Sequence, residues 1–275
     1  MLPSEYSVEG KTVIITGAAR GIGKGIARVL AESGAKVMVT SLTNQYLVPL
    51  SESMAADGHP IEILTADATK SEDWQRTYDY AMEKWGHVDA LVNNLGDAIR
   101  KPIVPLPGGV PSTPLTDDEW RFVIDINLTE AFLGCRTFGP HFLERGAGRV
   151  VNISGFAARK GSPDMLAYST AKAGVARLTQ TLALEWAPYG VTVNCVAPGQ
   201  FPDPETGDPA QVTASRERAK TSIPLGRVGE LREVGLLALY LISDASAYMT
   251  GETLYLDEIG RASCRERVEI SVGAV

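Results

Sequence analysis

Cysteine is scarce in this chain. The three residues, Cys135, Cys195 and Cys264, are far apart in 275 positions and show neither C-x-x-C nor metal-ligand spacing. That argues against a disulfide framework and a cysteine metal site, and for buried or free thiols in a reducing, cytoplasmic compartment. No apolar run approaches the ~20 residues that a membrane-spanning helix requires. The strongest, Val234 to Ile242, reads as a core helix. The opening Met1-Leu2-Pro3-Ser4-Glu5-Tyr6 has neither the basic start nor the apolar stretch of a secretory signal. Positive charge is also in deficit, with 26 Lys+Arg against 33 Asp+Glu and a net charge of −7. A general electrostatic surface for nucleic acid is therefore not expected, although a local basic pocket is compatible with that balance. Hydrophobic residues at 44% and charged residues at 21% are ordinary for a globular enzyme and unlike a disordered chain.

What is present is a regular alternation. Strand-like runs recur at Val13 to Thr16, Lys36 to Thr40, Ile61 to Ala66, Val88 to Asn93, Gly148 to Ser154, Val191 to Val196 and Thr253 to Asp257, with helical patterns between them. Alternating strands and helices imply parallel pairing through right-handed crossovers. The expected fold is a single α/β domain over residues 1–260, a Rossmann-type doubly wound parallel sheet of about seven strands with helices on both faces. Ligands of such sheets bind beyond the carboxyl ends of the strands, where the first glycine turn, Asp67, Asn94, Ser154 and Pro198 all fall.

The first of those ends carries Thr16-Gly17-Ala18-Ala19-Arg20-Gly21-Ile22-Gly23, between a strand and a helical run. Glycines there let the backbone approach a pyrophosphate, and the helix N-terminus offers free N–H groups to its charge. The spacing is Gly-x3-Gly-x-Gly, so the commoner G-x-G-x-x-G template does not apply. Far downstream, Tyr168 and Lys172 stand four residues apart, on one face if the segment is helical. A tyrosine with a reference pKa of about 10 needs a nearby cation to act as an acid or base near neutrality, and Lys172 can supply it.

With Asp67, the run Asn93-Asn94-Leu95-Gly96, Asn127 and Pro198-Gly199 in the same order, the chain resembles the short-chain dehydrogenase/reductase family over about residues 8 to 257. The resemblance implies an NAD(P)-dependent oxidoreductase moving hydride between nicotinamide and a secondary alcohol or ketone. A dinucleotide-binding regulator that has lost turnover is the alternative. It implies Tyr168 as general acid/base, Lys172 as its cation and ribose ligand, Asn127 as holder of a relay water and Ser154 as the substrate-oxygen donor. Gly17, Arg20, Gly21, Ile22 and Gly23 would meet the pyrophosphate and adenosine ribose, Asp67 and Ala68 the adenine, Asn94 and Gly96 the ribose, and Pro198-Gly199 the nicotinamide.

Three positions depart from the resembled pattern. Leu95 replaces the usual alanine, and Asp203 falls where a threonine is usual, with Thr206 as a substitute. The family's serine lies one residue nearer the tyrosine, at Gly155. Ser154 ends the fifth strand, and the backbone freedom of Gly155 is expected to let the Ser154 hydroxyl turn inward; a site without serine is the other reading.

NADP(H) is expected over NAD(H). The end of the second strand, Thr40-Ser41-Leu42-Thr43, lacks the acid that accepts the ribose hydroxyls in an NAD enzyme, and Arg20 with Ser41 and Thr43 suits a 2′-phosphate. Expected partners are a small carbonyl or alcohol substrate and further copies of the chain in a homotetramer, which the resemblance implies is built on the helices of Asn127 and Tyr168; Ala173, Val175, Ala176, Leu178 and Leu182 suit that interface and equally the monomer's own core. Neither nucleic acid, membrane nor metal is expected. Arg100, Lys101, Arg159 and Lys160 hint at an anionic substrate but suit a solvated surface as well. The proline-rich run from Ile99 to Thr116 reads as a loop, either bordering the substrate or remote from it, and Gln200 to Pro209 as a mobile substrate lid, with a rigid loop as the other reading. Residues 261–275 change composition and read as a foreign extension, or otherwise as a disordered or interface tail.

Overall fold

The computed structural model describes residues 3–105, 107 and 112–257. Its strands are β1 (Thr12–Ile15), β2 (Lys36–Ser41), β3 (Glu62–Thr65), β4 (Ala90–Asn93), β5 (Gly148–Ile153), β6 (Val191–Pro198) and β7 (Thr253–Leu256). They pair in parallel as one sheet in the order β3-β2-β1-β4-β5-β6-β7. Val13 of β1 lies between Val37 and Ala90, so the order reverses direction between β1 and β4, and the crevice for a ligand opens above that point. The strands carry Val and Ile at consecutive positions because both faces are covered; β1 and β6 are buried at every residue.

The helices are α1 (Gly21–Glu32), α2 (Asn44–Ala56), α3 (Ser71–Trp85), α4 (Asp117–Ile124), α5 (Glu130–Arg145), α6 (Leu166–Trp186), α7 (Pro209–Ser222) and α8 (Leu231–Ile242). One face of the sheet is covered by α1, α2 and α8, whose Ile26, Leu30, Leu47, Leu50, Val234 and Leu241 pack on β1 and β2. The expected core helix at Val234 to Ile242 is the body of α8. Glycines let α1 and α8 touch backbone to backbone: a Cβ on Gly235 would stand 2.6 Å from the Gly25 carbonyl oxygen. The other face is covered by α3, α5 and α6 through Trp74, Phe138, Phe142 and Trp186.

All seven expected runs are strands, with shifted ends. The run from Val88 is strand only from Ala90: the Asp89 carboxylate accepts the Thr12 N–H at 2.8 Å, and Val88 N–H donates to His141 Nε2 at 3.1 Å. Regular structure is absent among the described residues from Ile99 to Leu115, as five prolines require. That loop is held by Lys101 N–H donating to the Asp164 carbonyl at 3.0 Å, just before α6. Lys101 also pairs with Glu119. The tail at 261–275 lies outside the described residues. Among the described residues no helix is long and apolar enough to cross a membrane.

A buried polar chain fixes α6 on the sheet beneath the crevice. Asn93 Nδ2 donates to Asn152 Oδ1 at 2.8 Å, Asn152 Nδ2 to Thr179 Oγ1 at 2.9 Å, and Thr179 Oγ1 to the Val175 carbonyl at 2.9 Å. The first link joins β4 to β5 and the second joins the sheet to α6, so the strand ends and the face of α6 carrying Tyr168 keep one mutual position.

Candidate active site

Tyr168 and Lys172 lie one turn apart near the start of α6. Lys172 is only 2% exposed, and its Nζ donates to the carbonyls of Leu95 at 3.1 Å and Ile153 at 3.0 Å. These are the ends of β4 and β5, so the sheet itself aims the ammonium. Burial pulls its pKa down to about 8, while the carboxyl of Glu130 works in the opposite sense. The Tyr168 ring centroid is 5.8 Å from Nζ. Burial, and then the charge of Asp97, push the phenol's pKa up. The expected lowering by Lys172 is not seen: its ammonium faces the ring and is spent on two backbone carbonyls.

Asn127 sits in a π turn, Asp125–Thr129, that joins α4 to α5. Such bulges recur at functional sites because they re-aim side chains within a helix. Its Nδ2 donates to the carbonyls of Asp97 at 2.7 Å and Val123 at 2.8 Å, and its buried Oδ1 has no partner. Gly96 lies between this oxygen and the lysine: a Cβ there would come 2.7 Å from Asn127 Oδ1 and 2.9 Å from Lys172 Nζ. Two of the expected catalytic side chains, Asn127 and Lys172, thus meet around one glycine, and the ring of a third, Tyr168, lies beside the lysine.

The fourth does not. Ser154 is buried, and its hydroxyl donates to the Lys172 carbonyl at 2.7 Å, which ties β5 to α6. A Cβ on Gly155 would stand 3.1 Å from the Tyr168 hydroxyl oxygen. The position facing the phenol is therefore the glycine; the expected inward turn of the Ser154 hydroxyl is replaced by an inward turn onto the helix backbone. The alternation of side chains at the end of a strand explains the difference.

The glycine turn is shaped for close backbone approach. Gly17 and Gly21 have φ of 58° and 59°, and a Cβ on Gly23 would strike Asn94 Nδ2 at 2.4 Å. Asn94 holds the turn to β4: its Nδ2 donates to the carbonyls of Thr16 at 3.0 Å and Gly17 at 3.3 Å, and its N–H to Thr16 Oγ1 at 3.0 Å. Asp67 accepts from the Thr69 N–H and hydroxyl at 2.9 and 2.7 Å, and the Ala68 carbonyl accepts from Trp74 Nε1 at 2.8 Å, which fixes the loop after β3. Arg20 caps α1 in extended conformation, with its guanidinium 5.6 Å from the Tyr46 ring centroid. Among the described residues no carboxylate pairs with Arg20. Ser41 ends β2. Ile22 packs into the core, Pro198 ends β6, and the Gly199 N–H donates to the Leu256 carbonyl at 3.0 Å.

Two residues that the sequence did not single out belong here. Glu130, 1% exposed, is 3.4 Å from Thr16 Oγ1 and takes the Leu95 N–H; burial raises its pKa to about 8, against the pull of Lys172. A carboxylate in a helical pattern reads as a surface residue, and Thr16 is 114 positions away. Tyr46, in α2, stacks under Arg20. Of the cations expected near the substrate, Lys101 pairs with Glu119, Arg159 lies 5.4 Å from the Tyr255 ring centroid, and Arg100 is exposed.

These side chains suit a dinucleotide. The glycine cradle and the N-terminus of α1 fit a pyrophosphate, and the buried orphan Asn127 Oδ1 beside Lys172 fits a proton relay. A family profile described as enoyl-(acyl carrier protein) reductase matches residues 17–258. The chain is 34% identical over 252 residues to 3beta-hydroxysteroid dehydrogenase 1 of Eggerthella lenta, covering 91% of this chain and 93% of that protein. It is 37% identical to trans-4-hydroxycyclohexanecarboxylate dehydrogenase of Sinomonas cyclohexanicum, covering 91% and 92%. A solved structure from Beutenbergia cavernae, provisionally assigned as an NAD(P)-dependent gluconate 5-dehydrogenase and holding NADP at low occupancy, superposes with a TM-score of 0.80 at 32% identity, covering 93% and 98%. The chain belongs to the short-chain dehydrogenase/reductase family. It is an oxidoreductase of the NAD(P)-binding kind, acting on a small molecule, and the reading as a regulator without turnover is not favoured.

Proposed function

We propose that the protein is an NADP(H)-dependent secondary-alcohol dehydrogenase or ketone reductase whose proton chemistry runs through Tyr168, Lys172 and Asn127, with residues 1–260 as its catalytic unit. The meeting of Asn127 Oδ1 and Lys172 Nζ at Gly96, with the Tyr168 ring beside that lysine, carries the reading. Nicotinamide, when bound, supplies or accepts the hydride. In reduction Tyr168 gives its phenolic proton to the substrate's carbonyl oxygen as the carbon becomes an alcohol; in oxidation it takes the hydroxyl proton back. Lys172, whose Nζ is held by the Leu95 and Ile153 carbonyls, would bind the ribose and pass a proton toward Asn127 Oδ1. A raised phenol pKa makes Tyr168 a competent acid at neutral pH and a poor base there. Reduction should therefore be favoured at neutral pH, and oxidation should accelerate as pH rises toward the phenol's titration.

NADP(H) is supported by Arg20, which packs on Tyr46 and pairs with no carboxylate among the described residues, and by the absence of an acid in Thr40-Ser41-Leu42-Thr43. Such a cation gives a 2′-phosphate charge-assisted hydrogen bonds, whereas ribose hydroxyls want an acceptor. A cytoplasmic homotetramer is the accompanying proposal. Phe132 on α5 and Leu184 on α6 are 45% and 82% exposed, apolar surface that a partner copy would cover. Of the residues named for that interface, Ala173 is exposed, Val175 is in the monomer's own core, and Ala176, Leu178 and Leu182 are half-buried.

The test is nicotinamide absorbance with a panel of ketones and secondary alcohols, using the wild type and Tyr168→Phe. Turnover by the wild type, with loss of turnover and retained dinucleotide binding in the variant, supports the reading. Normal turnover without the phenol refutes it.

A further inference from the structure

Asp203, the residue standing where the family pattern has threonine, lies on the N-terminus of α1. Its Oδ2 accepts the Gly21 N–H at 2.8 Å and the Thr206 hydroxyl at 2.5 Å. Its Oδ1 accepts Lys24 Nζ at 2.9 Å and the N–H groups of Glu205 at 3.0 Å and Thr206 at 3.4 Å. Lys24 is itself buried and also pairs with Glu205 at 3.0 Å. Burial alone would raise the carboxyl's pKa, but the donors from Thr206, Lys24 and Gly21 outweigh it, and the group stays anionic. Thr206, the expected substitute for that threonine, is thus engaged with the carboxylate.

A helix N-terminus preceded by a glycine turn is an anion site, and here an anion of the chain's own fills it. We propose that Asp203 is a built-in stand-in for the pyrophosphate: binding of the dinucleotide displaces its carboxylate, releases the segment from Pro202 to Thr206 from α1, and frees Lys24 for the phosphates. The inference rests on the dinucleotide reading of the glycine turn. The surrounding structure suits a short hinged piece. On its near side the loop is anchored, since Gly229 N–H donates to the Gln200 carbonyl at 2.9 Å and Phe201 packs against Gly229. On its far side it runs into α7 at Pro209. Between these anchors Pro202, Pro204 and Glu205 line a cavity of about 630 Å³ together with Arg28, Leu231 and Arg232, so the released segment has room to move. Cofactor binding then loosens this loop, and Asp203 sets the apparent cofactor affinity, because a latched population lowers that affinity in proportion to its excess.

The experiment compares dissociation constants of the full chain and of Asp203→Thr and Asp203→Asn for NADPH, NADH and ADP-ribose by calorimetry. Each variant should bind every one of these about tenfold tighter, the gain expected when about nine-tenths of the molecules are latched. Hydrogen exchange of the wild type adds a readout that needs no variant: the Glu205 and Thr206 amides should exchange faster with saturating NADPH. Equal or weaker binding by both variants, or slower exchange with the dinucleotide, overturns the latch while leaving the cofactor site intact. Absence of binding by wild type and variants alike overturns the cofactor reading, and the latch with it.

Discussion

Gly155→Ser should raise activity. Gly155 has φ 179° and ψ 167°, extended backbone that any residue adopts, so a serine costs no strain there. Its Cβ would stand 3.1 Å from the Tyr168 hydroxyl oxygen, close enough that the ring must yield by a few tenths of an ångström. The serine hydroxyl, one bond further out, would then lie in hydrogen-bond range of the atom to which Tyr168 gives its proton. A preorganised donor at a developing oxyanion is worth about 10²–10³ in turnover. Part of that is lost to the displaced ring, and about tenfold in kcat/KM, roughly 1.4 kcal/mol, is the expected gain. Gly155→Ala separates the hydroxyl from the added bulk. Ser154→Ala is the counterpart: its hydroxyl is engaged by the Lys172 carbonyl, so its loss should cost about 1 kcal/mol of stability and little catalysis. The assay is kcat/KM for the best ketone found, alongside thermal melting. A tenfold loss in Ser154→Ala with no gain of Gly155→Ser over Gly155→Ala would refute this reasoning and return the donor role to Ser154.

Lys172→Ala should lower turnover and weaken dinucleotide binding together, because one side chain serves both; calorimetry showing unchanged affinity would separate the roles. Glu130→Gln should leave activity near neutral pH nearly unchanged, since burial keeps the carboxyl largely protonated below about 8. At higher pH the wild-type carboxylate favours charged Lys172. The variant's alkaline limb should therefore move down by about one pH unit, with the Tyr168, Asp97, Cys135 and Cys195 groups nearby left as they are. Arg20→Ala should weaken NADPH by about tenfold or more and NADH little, read as the ratio of dissociation constants; an equal loss for both would remove Arg20 from 2′-phosphate recognition. Light scattering at micromolar concentration should give a tetramer, and a monomer would be the contrary result.

The strands were legible because parallel strands buried on both faces carry their Val and Ile in unbroken runs, and such runs are short and bounded by turn residues. The crevice was legible for the same reason: each chemically distinctive residue stood just after one of those runs. What the sequence hid is what depends on side-chain direction and on distant partners. Asp125-Ile126-Asn127-Leu128-Thr129 gives no signal that its turn is π and not α, yet that turn aims Asn127. Glu130 looks like any acidic helix position until Thr16 and Lys172 are brought beside it. The partner of Asp203 is 182 positions away, so only the oddity of the residue, and not its role, could be read.

The side chain at one strand end decides how much of the site can be inferred from spacing alone. Tyr168 and Lys172 are one helical turn apart, and an error of one residue in placing α6 would still leave them on a common face. Ser154 and Gly155 follow a strand, where one residue reverses the direction of the side chain. Order and spacing therefore locate the tyrosine and lysine robustly, while the serine depends on which of two adjacent residues points inward. The structure points Gly155 inward and turns Ser154 onto the carbonyl of Lys172. The Ser154 hydroxyl thus fastens the lysine's own turn of helix to the sheet, and a substitution at either residue should be read by melting temperature and rate together.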